Sequence, residues 1–126
     1  MPDDEGHPTV PEIEFGKVLA ALADPLRRGV VGELTREPEG TARTCSSFGL
    51  PVSKATITHH FRVLREAGLI RQVDRGNSRM AELRRADIDG RFPGLLGIVR
   101  AEAEAEAEAD GAGPAGRAAQ SGAKSG

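Results

Sequence analysis

The apolar positions of this chain recur mostly at helical spacing. Phe15, Val18, Leu19 and Leu22 follow the i, i+3, i+4, i+7 rule, which predicts a helix over about 12–22. Asp24-Pro25 is then a restart signal. Asp caps the next helix, and Pro takes its first position, where a missing N–H costs nothing. Leu26, Val30, Val31 and Leu34 give that second helix an apolar face, and Pro38-Glu39-Gly40 ends it. Gly29 and Gly32 each weaken it by roughly 1 kcal/mol relative to Ala, which implies close packing against a neighbour. Thr41 to Phe48 reads as a short third helix with Ala42 and Cys45 facing inward. After the break at 49–52, Ser53 stands at an N-cap position, Ile57, Phe61 and Leu64 form one stripe, and Gly68 is a left-handed terminator.

The period then changes. Residues 69–74 and 79–84 read as short strands around Arg75-Gly76-Asn77-Ser78, a turn-forming cluster suited to a hairpin. Leu69, Val73, Ala81 and Leu83 are the expected inward positions. A last helix is expected to start near Pro93, with Leu95, Leu96 and Val99 as its apolar edge. It runs into an alternating Ala-Glu stretch whose Glu residues repel at i, i+4, so fraying is expected beyond about Ala103. The fold class is therefore mainly α with a small β-hairpin wing, in the order α-α-α-α-β-β-α. Residues 1–11 are expected to be a disordered tail, 12–105 the folded domain, and 106–126 a low-complexity disordered tail.

Composition narrows the function classes. The chain has 126 residues, enough for one domain, and no apolar run approaches the ~20 residues of a membrane span. A single cysteine excludes an internal disulfide and a multi-cysteine zinc site, and the expected location is the cytoplasm. The net charge of −2 conceals a pattern. Residues 25–86 hold twelve bases and six acids, between an N-terminal stretch with six acids and one Lys and a C-terminal stretch with seven acids and four bases. A basic middle of this kind points to a nucleic-acid surface, although frequent Arg alone would also produce it. No Ser-His-Asp order, phosphate-cradling Gly loop or paired carboxylate suggests an enzyme.

A short helix, a tight break and a capped helix form a helix-turn-helix, and the hairpin after them is a wing. In such a unit the capped helix enters the major groove. Ser53 begins it, and Lys54, Thr56, Thr58, His59 and Arg62 lie off its apolar stripe. Arg and Lys suit guanine edges, and Thr can donate, accept or touch a thymine methyl. Arg75, Asn77, Ser78 and Arg79 on the wing suit phosphate or minor-groove contact, which would make binding salt-dependent. The stretch from Ser53 to Ile70 resembles the recognition-helix signature of ArsR/SmtB-type winged-helix repressors, and Ala20 to Arg28 resembles the family's opening between its first two helices. The resemblance covers about 13–100 and implies a homodimeric transcriptional repressor on a palindromic operator in double-stranded DNA. It also implies dimerisation through the first and last helices, for which Phe15, Val18, Leu19, Leu95, Leu96 and Val99 are the candidates.

The family's metal sites do not transfer. One class uses a Cys-x-Cys pair where this chain has only Cys45, and another uses Asp, His and Glu on the last helix, where this chain has no His. No metal or cofactor is therefore expected. Cys45 is read as a small buried residue, with a thiol-based redox sensor as the alternative. His59 is expected to contact DNA and His60 to pack beside the turn. His7 is assigned no specific role, and Arg27 and Arg28 are expected either to touch phosphate or to pair with Glu33 or Glu37. A winged-helix module for protein partners is the competing function, though it would be expected to expose apolar residues on the capped helix. Whether a small-molecule effector exists is left open by the residues.

Overall fold

The computed structural model describes residues 2–112. A one-turn 3-10 helix, Val10–Glu12, leads into α1 (Phe15–Ala23) and α2 (Pro25–Thr35). Then come β1 (Ala42–Thr44), a 3-10 turn (Cys45–Phe48), α3 (Lys54–Ala67), β2 (Ile70–Asp74), β3 (Arg79–Leu83), α4 (Arg85–Arg91) and α5 (Leu95–Ala112). The three strands form one antiparallel sheet in the order β1-β3-β2. This is a mainly helical winged helix-turn-helix, as the apolar spacing implies.

Local chemistry sets most boundaries. The Asp24 carboxylate accepts from the backbone N–H of Leu26 at 2.8 Å and of Arg27 at 3.2 Å, capping α2. Burial pushes this carboxyl up, but those backbone N–H groups and the nearby positive charge outweigh it and hold it below the ordinary value. Arg27 donates to Ala21 O at 2.8 Å and Arg28 to Leu22 O at 2.9 Å, satisfying carbonyls left open at the end of α1. Arg85 does the same for α2, donating to Leu34 O and Thr35 O, and it also reaches Glu37 O just beyond. Ser53 caps α3 by accepting from Thr56 N, and Gly68 ends it at φ 89°. A side chain at Gly68 would also collide with Ile13, its Cβ falling 2.6 Å from Ile13 Cγ1.

The core joins Val18 and Leu22 of α1, Val30, Val31 and Leu34 of α2, and Phe61 and Leu64 of α3 to the inner sheet face and α5. Fully burying one such side chain contributes about 1.5–3 kcal/mol. α2 and α5 pack so closely that a Cβ on Gly32 would sit 2.9 Å from Ala103 Cβ. Close packing therefore accounts for Gly32, whereas space is open around Gly29.

Several expectations need correction. Residues 42–44 are a strand, not part of a helix, because the outer edge of β3 offers backbone pairing from Ala42↔Glu82 to Thr44↔Met80. Only 45–48 turn helically. Leu69, just before β2, is buried as expected, but within β2 the inward residues are Ile70 and Gln72 and Val73 is only half-buried. Gln72 tolerates burial because Arg65 Nη1 donates to its Oε1, and its own Nε2 lies 3.7 Å from Cys45 Sγ. The last helix begins at Leu95, after a separate α4 that holds one buried apolar residue, Ile88, and so shows no period.

α5 also continues through 106–112 instead of fraying after Ala103. Arg28 takes Glu102 at 2.8 Å and Arg100 takes Glu104 at 3.0 Å, which offsets the repulsion among the acids. The rest of the expected C-terminal tail, residues 113–126, lies outside the described residues.

The N-terminal segment, expected to be disordered, is docked on the domain. β2 is an edge strand, and the outward N–H of Gln72 donates to Nε2 of His7 at 3.0 Å. The other ring nitrogen, Nδ1, donates to Asp3 at 2.8 Å, so one neutral tautomer satisfies both contacts. Arg84, itself buried, donates to Pro8 O at 2.8 Å and pairs with Asp87 at 2.9 Å. His7 thus has a specific role, as the cap of a sheet edge. Replacing His7 by Ala leaves the Gln72 N–H without its acceptor and is expected to destabilise the fold by about 1–3 kcal/mol. An unchanged urea midpoint would show that this segment contributes nothing to stability.

Candidate nucleic-acid interface

The seating of α3 decides what it can touch. His60, Phe61, Leu64 and Ala67 are buried, and Phe61 packs on Phe48 of the preceding turn with ring centroids 5.8 Å apart. Those contacts turn Lys54, Thr58, His59 and Arg62 outward, and all four are exposed. Arg62 Nη2 lies 3.3 Å from His59 Nδ1, so a cation and an imidazole form one surface unit. Ser53 and Thr56 are committed to each other: Ser53 Oγ donates to Thr56 Oγ1 at 2.9 Å while accepting from Thr56 N at 3.2 Å. Their role at the helix start is structural, and Thr56 is half-buried.

His60 turns inward instead. Arg27 Nη1 donates to His60 Nδ1 at 3.1 Å, which ties the start of α2 to α3. Arg27 is therefore a positioning residue for α3. Neither it nor Arg28 pairs with Glu33 or Glu37, whose partner is Arg43, at 2.8 Å from Glu33 and 3.8 Å from Glu37. Arg43 also stacks 4.1 Å above the Phe48 ring and donates to Ser47 O, fixing the turn that precedes α3.

The wing tip is open. Arg75, Gly76 and Asn77 are exposed, and Arg75 N donates to Ser78 O at 2.9 Å across the turn. Ser78 is half-buried. Arg79 sits lower, within 3.4 Å of Glu5 and 3.7 Å of Asp74, so acids already partly neutralise it. The sequence-expected contacts thus separate into an accessible set (Lys54, Thr58, His59, Arg62, Arg75 and Asn77) and an engaged set (Ser53, Thr56, Ser78 and Arg79).

The candidate dimer residues separate in the same way. Val18, Leu96 and Val99 are buried within the single chain and belong to its core. Phe15 and Leu19 are exposed on α1, while Leu95 is half-buried. Sequence reasoning missed Ile98, which is 71% exposed. Its signal was there: Leu95 and Ile98, three apart, share a helix flank beside buried Leu96 and Val99. Phe15 stacks on Phe92, just before α5, with centroids 4.9 Å apart.

Among the described residues, no group of three or more His, Cys, Asp and Glu could hold a metal ion, and no helix is long and apolar enough to cross a membrane. Cys45 is half-buried, and burial pushes its thiol above the ordinary value of 9.0.

A helix-turn-helix domain model matches residues 22–73. No curated protein matches the chain. Among solved structures, the crystal structure of an ArsR family transcriptional regulator is similar over 74% of this chain and 94% of its own, at 24% identity and a TM-score of 0.53. An ArsR-like transcriptional regulator from Rhodococcus sp. RHA1 is 26% identical over 76% of this chain and 89% of its own, with a TM-score of 0.50. A possible transcriptional regulator for arsenical resistance is 30% identical over 67% of this chain and 93% of its own, with a TM-score of 0.46. The domain model and the structure at 26% identity support an ArsR-type winged helix-turn-helix regulator.

In this ArsR-type chain the thiol environment argues against a reactive sensor, because the thiolate is the reactive form and burial disfavours it. At pH 7, N-ethylmaleimide is expected to modify Cys45 more slowly than free cysteine in the same solution. Faster modification, followed by mass spectrometry, would reveal an activated thiol and revive the redox reading.

Proposed function

We propose that this protein is a sequence-specific transcriptional repressor that binds double-stranded DNA as a homodimer in the cytoplasm. The observation that carries the reading is the outward face of α3. Lys54, Thr58, His59 and Arg62 stand exposed together on a helix whose opposite face is buried. A cationic and hydroxyl-bearing helix face suits major-groove edges, and Arg75 and Asn77 on the wing suit the adjoining backbone. The absence of an apolar surface on α3 disfavours the protein-binding alternative. Two copies would place their α3 helices about one DNA turn apart, so the operator is an imperfect palindrome. The resemblance to ArsR-type repressors supports repression. The lack of a Cys-x-Cys pair or a mixed Asp/His set supports regulation without the metals of that family.

Selection from random duplex DNA in the presence of chelator tests the reading, and an enriched palindrome is expected. Arg62→Ala is expected to cost about 1–3 kcal/mol of binding and to relax preference at the base it reads. No enrichment, or an Arg62→Ala protein with unaltered affinity and preference, would remove α3 as the reader.

Phe15, Leu19 and Ile98 are the exposed large hydrophobics of α1 and α5, and they support a dimer surface there. Ile98→Glu changes a side chain that the single chain does not bury. Sedimentation is therefore expected to show a dimer for the parent protein and a monomer for the variant at the same concentration. A variant that stays dimeric would place the interface elsewhere.

A further inference from the structure

A cavity of about 280 Å³ lies between α3 and the two wing strands. Ile57 and Phe61 of α3 and Cys45 of the preceding turn give it an apolar wall. Arg65 of α3, Gln72 of β2 and Arg79 of β3 supply its polar groups, and no carboxylate is among the lining residues. We propose that this cavity is a binding site for a small organic monoanion, a carboxylate on a compact apolar body.

Size and charge support this class. The volume is at the lower edge of small-molecule sites, which begin at roughly 300 Å³, and is too small for a nucleotide. Two guanidinium groups without a lining acid favour one carboxylate, and Arg presents paired donors to that group. Arg65 is held at the cavity wall by donating from Nη1 to Gln72. The acids paired with Arg79, Glu5 at 3.4 Å and Asp74 at 3.7 Å, are solvent-exposed, so they partly neutralise it but are worth little as ion pairs. The apolar wall selects against inorganic anions.

The location gives the site a consequence. Thr58 also lines the cavity, and both Thr58 and Arg79 lie on the elements assigned to DNA. Resting on the DNA-binding reading, an occupant bridging α3 and the wing would set their relative position and act as an effector.

The test needs no DNA, so its failure is separable from failure of that reading. Isotope-labelled full-length protein is titrated with benzoate, benzyl alcohol or inorganic phosphate, and backbone amide shifts are followed by NMR. Benzoate is expected to give saturable shifts centred on Cys45, Thr58, Phe61, Arg65, Gln72 and Arg79. The neutral alcohol and phosphate are expected not to saturate. Arg65→Gln and Arg79→Gln should each weaken the benzoate Kd about tenfold, the scale of a lost charge-assisted hydrogen bond. Arg79 lies at the more exposed rim, so its variant decides the matter if Arg65→Gln fails to fold. No saturation, equal response to the alcohol or to phosphate, or an Arg79→Gln protein that binds benzoate as the parent does would overturn the proposal.

Discussion

The burial of Phe61 and Leu64 is the constraint on which the interface depends. A helix of fourteen residues can rotate about its axis unless something fixes which side faces the core. Here Phe61 meets Phe48 from the turn before it, and Leu64 is sealed among the other helices and the sheet. Because successive residues of a helix are about 100° apart, anchoring those two fixes the rest. Lys54, Thr58, His59 and Arg62 are then displayed together without needing any contact of their own. The site is a by-product of hydrophobic packing on the opposite face.

Arginine supplies much of the remaining order. Arg27 and Arg28 satisfy carbonyls at the end of α1, and Arg85 does so for α2. Arg27 also reaches His60 on α3, and Arg28 reaches Glu102 on α5. Each therefore couples a local helix end to a distant element. The basic character of the central region is consequently not all available to nucleic acid. Arg43, Arg84 and Arg85 are structural ties, whereas Arg62 and Arg75 are free to meet a partner. Net charge along the chain exaggerates the binding surface for this reason.

The N-terminal segment shows how polar groups can dock a stretch with little apolar content. Its composition alone argues for disorder. Yet an edge strand offers an unpaired N–H, and the His7 lone pair meets it while Asp3 holds the other side of the ring. Pro8 then gives its carbonyl to buried Arg84 and lies near Gly68, where only a missing side chain leaves room. The same segment carries Glu5 toward Arg79, so the acidic start of the chain and the base of the wing are neighbours.

The sequence by itself determined the helices with a strong period, their Asp24 and Ser53 caps, the Gly68 stop, the hairpin and the exposed face of α3. These rest on local chemistry: a cap or a helix stripe needs only residues within a few positions of one another. Tertiary structure decided the rest. β1 exists because β3 has a free edge 36–40 residues along the chain, as the Ala42↔Glu82 to Thr44↔Met80 pairing shows, and nothing in Ala42-Arg43-Thr44 announces it. The phase of β2 turned on whether Gln72 could find partners once buried, which depended on Arg65 and Cys45. Val18, Leu96 and Val99 looked the same in sequence as Phe15 and Ile98. Only the fold assigned the first three to the core and left the other two exposed, because apolar character says that a side chain will leave water but not which surface will cover it.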